Sequence, residues 1–103
     1  MDVKIYSLFS GSSGNCTWFK IGDLQFLVDA GGSCNAINEA LKGLSSSLDE
    51  ISHIFVTHEH SDHIKGMRIL ASTFRIPVYA SEGTITALEQ TGQLTTKFPY
   101  EVI

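Results

Sequence analysis

The 103-residue chain has no basic tract, no long apolar run and only two cysteines. Its formal net charge of −4 argues against strong non-specific binding of nucleic acid by charge alone. No apolar stretch approaches the roughly eighteen residues of a membrane span. The N-terminus lacks the basic start and apolar run of a signal peptide. We therefore expect a cytoplasmic protein that does not enter a membrane.

The two cysteines, Cys16 and Cys34, lack the C-x-x-C spacing of a metal or redox pair. Because there are only two and no export signal, buried free thiols are the favoured interpretation, and a disulfide is the alternative. The chain also lacks an internal repeat, a low-complexity tract and a domain linker. These absences predict one small domain that spans residues 1–103.

Three of the four histidines fall in one short run, from His58 to His63, which reads His-Glu-His-Ser-Asp-His. Imidazole and carboxylate bind borderline divalent metals such as zinc, iron or manganese. His58 and His60 are two apart, so on an extended strand end both point to one side. Asp62 and His63 are adjacent and need a turn to bring both inward. The two pairs predict two neighbouring ions, which suits hydrolysis by a shared, metal-activated water.

The flanking residues place this run at a turn between a strand and a helix. Residues 54–57 are apolar, β-branched or aromatic, which is typical of a strand. Apolar residues then recur at spacings of three and four from Ile64 to Phe74, which predicts one helix. Ser61 is the predicted N-cap of that helix, with Asp62 in its first turn. An accidental cluster of metal-binding side chains is the alternative.

The segment from Thr57 to His63 resembles the HxHxDH signature of the metallo-β-lactamase-fold hydrolases. Residues 26–31, with Asp29 at the strand end, resemble an earlier strand of that family that ends in a structural aspartate. The Gly/Ser loop at 10–15 resembles the opening loop of the YycJ-type (WalJ) subgroup. The resemblance covers about residues 3–80 of the chain.

The resemblance implies an α/β (α+β) fold that is half of a four-layer αββα sandwich. The order of the predicted elements independently indicates a mixed sheet with helices on one face. The family's later ligands, a third histidine, a bridging aspartate and a last histidine, have no counterpart here. We therefore expect the N-terminal half of such a domain, a natural short form completed by a partner, or an incomplete relic.

The strands predicted at Leu24–Val28 and Ile54–Val56 are nearly continuous apolar runs, which is typical of strands buried on both faces. Helices from this chain can cover only one face of the sheet. We therefore expect an exposed apolar sheet face. Such a face predicts a homo-oligomer, association with the missing C-terminal half, or aggregation.

The predicted cofactors are two divalent ions, zinc or else manganese or iron. His58 and His60 would hold the first ion, and Asp62 and His63 the second. Asp62 is also the candidate catalytic residue, because it could orient the attacking water. The Asp29 carboxylate is predicted to accept N–H bonds from the ligand loop and so hold its shape without binding an ion. A strand-end turn residue without this role is the alternative.

A further prediction concerns the Gly/Ser loop, where amides near Ser12, Ser13 and Asn15 could face an anionic substrate. A loop without a binding role is the alternative.

Two classes of function remain open. The first is a metal-dependent hydrolase, for which the YycJ-type resemblance implies a DNA exonuclease acting on phosphodiesters. Proteins with the same motif instead cleave lactams, lactones, thioesters or RNA. The acidic charge does not exclude a nucleic-acid substrate, since bound cations would reverse the local sign. The second class is a non-catalytic metal-binding module or an incomplete fragment.

Overall fold

The computed structural model of the chain describes residues 2–11 and 14–103, which form one sheet and four helices. The strands are β1 (Val3–Phe9), β2 (Cys16–Ile21), β3 (Leu24–Val28), β4 (His53–Val56), β5 (Val78–Ala80) and β6 (Tyr100–Val102). The helices are α1 (Cys34–Lys42), α2 (Ser61–Ile64), α3 (Met67–Phe74) and α4 (Glu82–Gln90), with a 3₁₀ turn at Leu48–Glu50.

The strands lie in the sheet in the same order as in the chain. The first three strands are antiparallel, and β3 to β6 are parallel. Each parallel connection therefore steps to the next strand in the same direction. Because such connections are right-handed, they place their helices on the same face. The predicted α/β class, with a mixed sheet and helices on one face, is confirmed.

The hydrophobic core lies between this face of the sheet and the helices. Alternate residues of β2 to β5 point into it, as the two-residue period of a strand requires. The helices contribute the apolar residues that recur at three and four. Side chains that are at most 2% exposed include Trp18, Leu27, Ile54 and Val78 from the sheet and Ile37, Leu41, Met67, Leu70 and Leu88 from the helices.

A polar contact inside this core anchors the loop after α1. Gln25 in β3 is 6% exposed. Its Oε1 accepts hydrogen bonds from Trp18 Nε1 at 3.0 Å and from Ser46 Oγ at 2.5 Å. Since a buried amide oxygen needs partners, these bonds tie the second part of the β3–β4 connection to the sheet.

The opposite face of the sheet carries a continuous row of half-buried rings, which we call the aromatic row. Neighbouring centroids are 4.8–5.8 Å apart along the row. The row consists of Phe19, Phe26, His53, Phe55 and Tyr79. Beside it, β1 leaves Val3 and Ile5 58% exposed. The expected apolar sheet face is therefore present, and no helix of the described residues covers it.

One predicted helix is two helices in the structure. Gly66 separates α2 from α3, and its N–H donates to Ala30 O at 2.8 Å. A side chain at this position would collide with the backbone oxygen of Gly32. The chain therefore bends where it packs against the loop after β3, a contact that periodicity does not reveal.

The predicted N-cap is also wrong by one residue. His60 has extended backbone angles and is the N-cap of α2, whereas Ser61 is the first helical residue. Asp62 lies in the first turn, as predicted. No helix within residues 2–11 and 14–103 has both the length and the apolar character needed to cross a bilayer.

Candidate metal centre

The candidate site lies at the carboxyl ends of β3 and β4. These strands are parallel neighbours, so the residues that follow them meet at one edge of the sheet. Asp29 follows β3, and its N–H donates to Phe55 O at 2.7 Å. Thr57 follows β4 and leads into the run from His58 to His63. Strand topology thus brings together residues that lie about thirty positions apart.

The carboxylate of Asp29 holds the start of this run. Asp29 is 5% exposed and has a left-handed backbone, with φ of 65°. Its Oδ1 accepts a bond from Thr57 N at 2.7 Å. Its Oδ2 accepts bonds from Thr57 Oγ1 at 2.6 Å and from His63 Nδ1 at 2.7 Å. One buried acid therefore ties the end of β4 and the first turn of α2 to the end of β3.

This network sets the protonation pattern of two imidazoles. The Thr57 hydroxyl donates to Asp29, so it can only accept from His58 Nδ1, which lies 2.9 Å away. His63 Nδ1 must likewise donate to the carboxylate. In its neutral form, each ring then carries its proton on Nδ1, which leaves the lone pair of Nε2 free.

The four predicted ligands share one rim but are not equally close. The ring centroids of His58 and His63 are 4.7 Å apart, and those of His58 and His60 are 6.1 Å apart. His63 Nε2 lies 3.6 Å from Asp62 Oδ2. His58 and His60 are exposed, whereas Asp62 and His63 are half-buried. The nearest ring pair, His58 and His63, therefore joins one member of each of the two ligand pairs predicted from spacing.

Three donors do not converge on one point within residues 2–11 and 14–103. No group of three histidine, cysteine, aspartate or glutamate side chains in this part of the chain is arranged to hold an ion.

The predicted substrate loop is described only in part, because Ser12 and Ser13 lie outside the described residues. The Asn15 side chain does not point to open solvent. Its Nδ2 donates to Gly11 O at 3.0 Å and to Asp62 Oδ2 at 3.1 Å. Asn15 is thus in direct contact with a predicted ligand.

Thr57 has a structural role that was not predicted. Its hydroxyl links Asp29 to His58, as described above. The role could have been predicted from the position of Thr57 in the sequence, since a hydroxyl residue between a strand end and a histidine can form hydrogen bonds on both sides of the turn.

The cysteines take no part in this rim as ionised thiolates. Both are free, as predicted, but only Cys16 is buried as expected, whereas Cys34 is half-buried. Burial raises the pKa of the Cys16 thiol to about 12, and the negative charge of Asp29 adds to the shift. Burial also raises the pKa of Cys34. Both thiols are therefore protonated at neutral pH and poor nucleophiles.

The family model of the metallo-beta-lactamase superfamily matches residues 10–101. The chain belongs to this superfamily. Exodeoxyribonuclease YycJ of Bacillus anthracis is 43% identical over 89 residues, which cover 86% of this chain and 34% of the relative. Exodeoxyribonuclease WalJ of Streptococcus pneumoniae serotype 2 is 39% identical over 91 residues, which cover 88% and 34%. The chain thus spans about a third of the length of these superfamily relatives.

Solved structures of the metallo-beta-lactamase superfamily share the fold. YhfI from Bacillus subtilis matches with a TM-score of 0.69 and 24% identity, covering 98% of this chain and 44% of YhfI. BJP-1, a subclass B3 metallo-beta-lactamase of Bradyrhizobium japonicum, matches with a TM-score of 0.72 and 19% identity, covering 96% and 39%. The predicted family and the YycJ-type resemblance are confirmed.

The Asp29 network makes a prediction about His63. In Asp29→Asn, the amide oxygen should keep facing Thr57 N–H, because that donor cannot change. The NH₂ group must then face His63 Nδ1, so the ring should switch to the tautomer protonated on Nε2. We expect nitrogen-15 shifts of the His63 ring to reverse. The free energy of unfolding should fall by about 1–3 kcal/mol, because a bond to a buried charge is lost.

Asp23→Asn is the matched control, since Asp23 lies exposed in the β2–β3 turn. It should leave the His63 tautomer unchanged. An Asp29→Asn variant whose His63 ring keeps its proton on Nδ1 would show that Asp29 does not set the tautomer.

Proposed function

We propose that this chain supplies metal ligands to a hydrolase that cleaves phosphodiester bonds in DNA as an exonuclease. One observation carries the proposal: Thr57 and Asp29 engage the Nδ1 atoms of His58 and His63, and His63 Nε2 lies 3.6 Å from the Asp62 carboxylate. The superfamily implies divalent metal ions. The relatives named exodeoxyribonuclease support DNA as the substrate class.

The donor set fits such ions. Neutral imidazole with one nitrogen committed to a hydrogen bond is a common ligand for zinc, manganese and iron, and a carboxylate complements it. Within the described residues, no hydrogen bond engages either ring nitrogen of His60. We assign His58 and His60 to a first ion, and Asp62 and His63 to a second.

Bound divalent ions would supply Lewis-acid chemistry and an activated water. Asp62 would orient that water toward the phosphorus and accept its proton. Asp29 would hold His63 in place and keep its Nε2 free of a proton. Thr57 would likewise hold the His58 ring in place and keep its Nε2 free of a proton. The bound cations would reverse the local sign of the rim and so make it receptive to an anionic phosphodiester in a chain whose net charge is −4.

The chain would form the N-terminal part of a two-half sandwich, with 1–103 as one structural unit. A C-terminal half, or a second copy of the chain, would cover the aromatic row. Burying that row would remove an exposed apolar face that monomeric proteins rarely carry. A cytoplasmic location is part of the proposal and agrees with the free thiols.

A second candidate function is a metal-binding part that does not turn over substrate by itself. The observation that favours it is that no three donors of the described residues converge. Ions held by two ligands from this chain would bind weakly and exchange.

Metal counting combined with a hydrolysis assay distinguishes the two candidates. The chain joined to the C-terminal half that completes the sandwich, and loaded with zinc or manganese, should retain two ions and cleave bis(p-nitrophenyl) phosphate and linear DNA. One loosely held ion, or none, without turnover would refute the hydrolase proposal for this chain. Turnover of a lactam or thioester but no phosphodiester would refute the nuclease assignment.

A further inference from the structure

We infer that Asn15 is a positioning residue for Asp62, because its side-chain amide holds the carboxylate in the orientation in which it binds an ion. This inference rests on the proposed function, in which Asp62 is a ligand. It assigns Asn15 a different role from the contact with anionic substrate predicted from the Gly/Ser loop.

The contact between the two side chains is direct. Asn15 Nδ2 lies 3.1 Å from Asp62 Oδ2 and 3.3 Å from the backbone oxygen of Asp62. Both residues are half-buried, so water competes less for this bond than at an open surface. Within the described residues, Asp62 Oδ1 has no hydrogen-bond partner. The amide therefore restrains one oxygen and leaves the other available to a cation.

Both N–H donors of the Asn15 side-chain amide already have acceptors within the protein, so neither is free to bind a substrate. An asparagine NH₂ group offers two donors. Here Nδ2 already faces three oxygens: the backbone oxygens of Gly11 at 3.0 Å and Asp62 at 3.3 Å, and Asp62 Oδ2 at 3.1 Å. A phosphate could bind this amide only by displacing one of these bonds.

The position of Asn15 does not depend on its side chain. Its N–H donates to Asp62 O at 2.6 Å, and its O accepts from Gly31 N at 2.8 Å. Ala30 N also donates to His63 O at 2.8 Å. These backbone bonds connect the loop before β2, the loop after β3 and the start of α2. Replacing Asn15 by alanine should therefore remove the amide without moving the loop.

The test compares the wild-type chain with Asn15→Ala by calorimetric titration with Mn²⁺ or Zn²⁺. The affinity for one ion should fall by about 10- to 100-fold, as for other groups that orient metal ligands. The affinity for the other ion, assigned to His58 and His60, should change by less than about threefold, since the amide does not touch those rings. Asn35→Ala, an exposed position in α1, is the matched control and should change neither affinity.

A second measurement uses the metal-free chain. Side-chain coupling constants should show one χ1 rotamer for Asp62 in the wild type and an averaged rotamer in Asn15→Ala. Unchanged affinities in Asn15→Ala, or an equal loss for both ions, would overturn the inference and leave the proposed function standing. If the wild type binds no ion, the proposed function fails. A fixed Asp62 rotamer in Asn15→Ala would overturn the inference independently.

Discussion

Replacing His60 by alanine should reduce phosphodiester hydrolysis by about a thousandfold, since an ion at such a site contributes several kcal/mol of charge stabilisation. His60 is exposed, and no side-chain hydrogen bond caps α2 from this position. The free energy of unfolding should therefore change by less than about 0.5 kcal/mol. Activity assays with metal counting and thermal unfolding on the same preparation check both expectations.

His53→Ala is the matched histidine control for this experiment. His53 lies in the aromatic row, where its ring stacks on Phe26 at 4.9 Å, away from the metal run. Burial lowers the pKa of His53, so it is neutral at pH 7 and its loss changes no charge. The control should keep full metal content, because the His53 ring packs against Phe26, Phe55 and Tyr79 and not against the assigned ligands. If His60→Ala retained wild-type turnover, the measured hydrolysis would come from another site or another protein.

Replacing Gly31 by alanine should destabilise the fold more than any surface substitution. A Cβ at this position would collide with the backbone oxygen of Asp62 and the backbone nitrogen of Asn15, and it would lie 2.7 Å from Asp62 C. Backbone atoms cannot swing aside as a flexible side chain can. We expect a loss of about 3 kcal/mol or more, at the upper end of overpacking effects. That loss should lower Tm by more than about 10 °C.

Gly83→Ala provides the control for an added methyl group. Gly83 lies inside α4, and a Cβ there would meet open space. Alanine should stabilise this helix by about 0.5–1 kcal/mol. Denaturant unfolding of both variants measures the contrast. If Gly31→Ala stayed within about 1 kcal/mol of the wild type, the three loops at this edge would be more loosely packed than the structure indicates.

Local signals in the sequence predicted several elements closely. Gly22 and Asp23, residue types that favour turns, form the turn of the β2–β3 hairpin. Ser33 and Ser81 are of a residue type that favours N-caps, and each accepts a bond from the backbone N–H three residues later. Turns and caps depend on a few adjacent residues, so they are readable without the tertiary structure.

Features that depend on contacts between distant segments were not predicted. The helix after the metal run breaks at Gly66 because the loop after β3 packs against it. His58 lies nearer to His63 than to His60, because Asp29 and Thr57 orient both rings. The contact from Asn15 to Asp62 spans 47 positions. No periodicity or spacing encodes these distances.

The amino-acid sequence by itself determined which chemistry this protein can offer. Imidazoles and a carboxylate at close spacing carry lone pairs for cations in any fold that gathers them. The tertiary structure decided which lone pairs are free, since a buried aspartate from another strand commits the Nδ1 atom of His63 and, through Thr57, that of His58. Hydrogen bonds across parallel strands are directional and act over about 3 Å, so only the assembled sheet edge can create them.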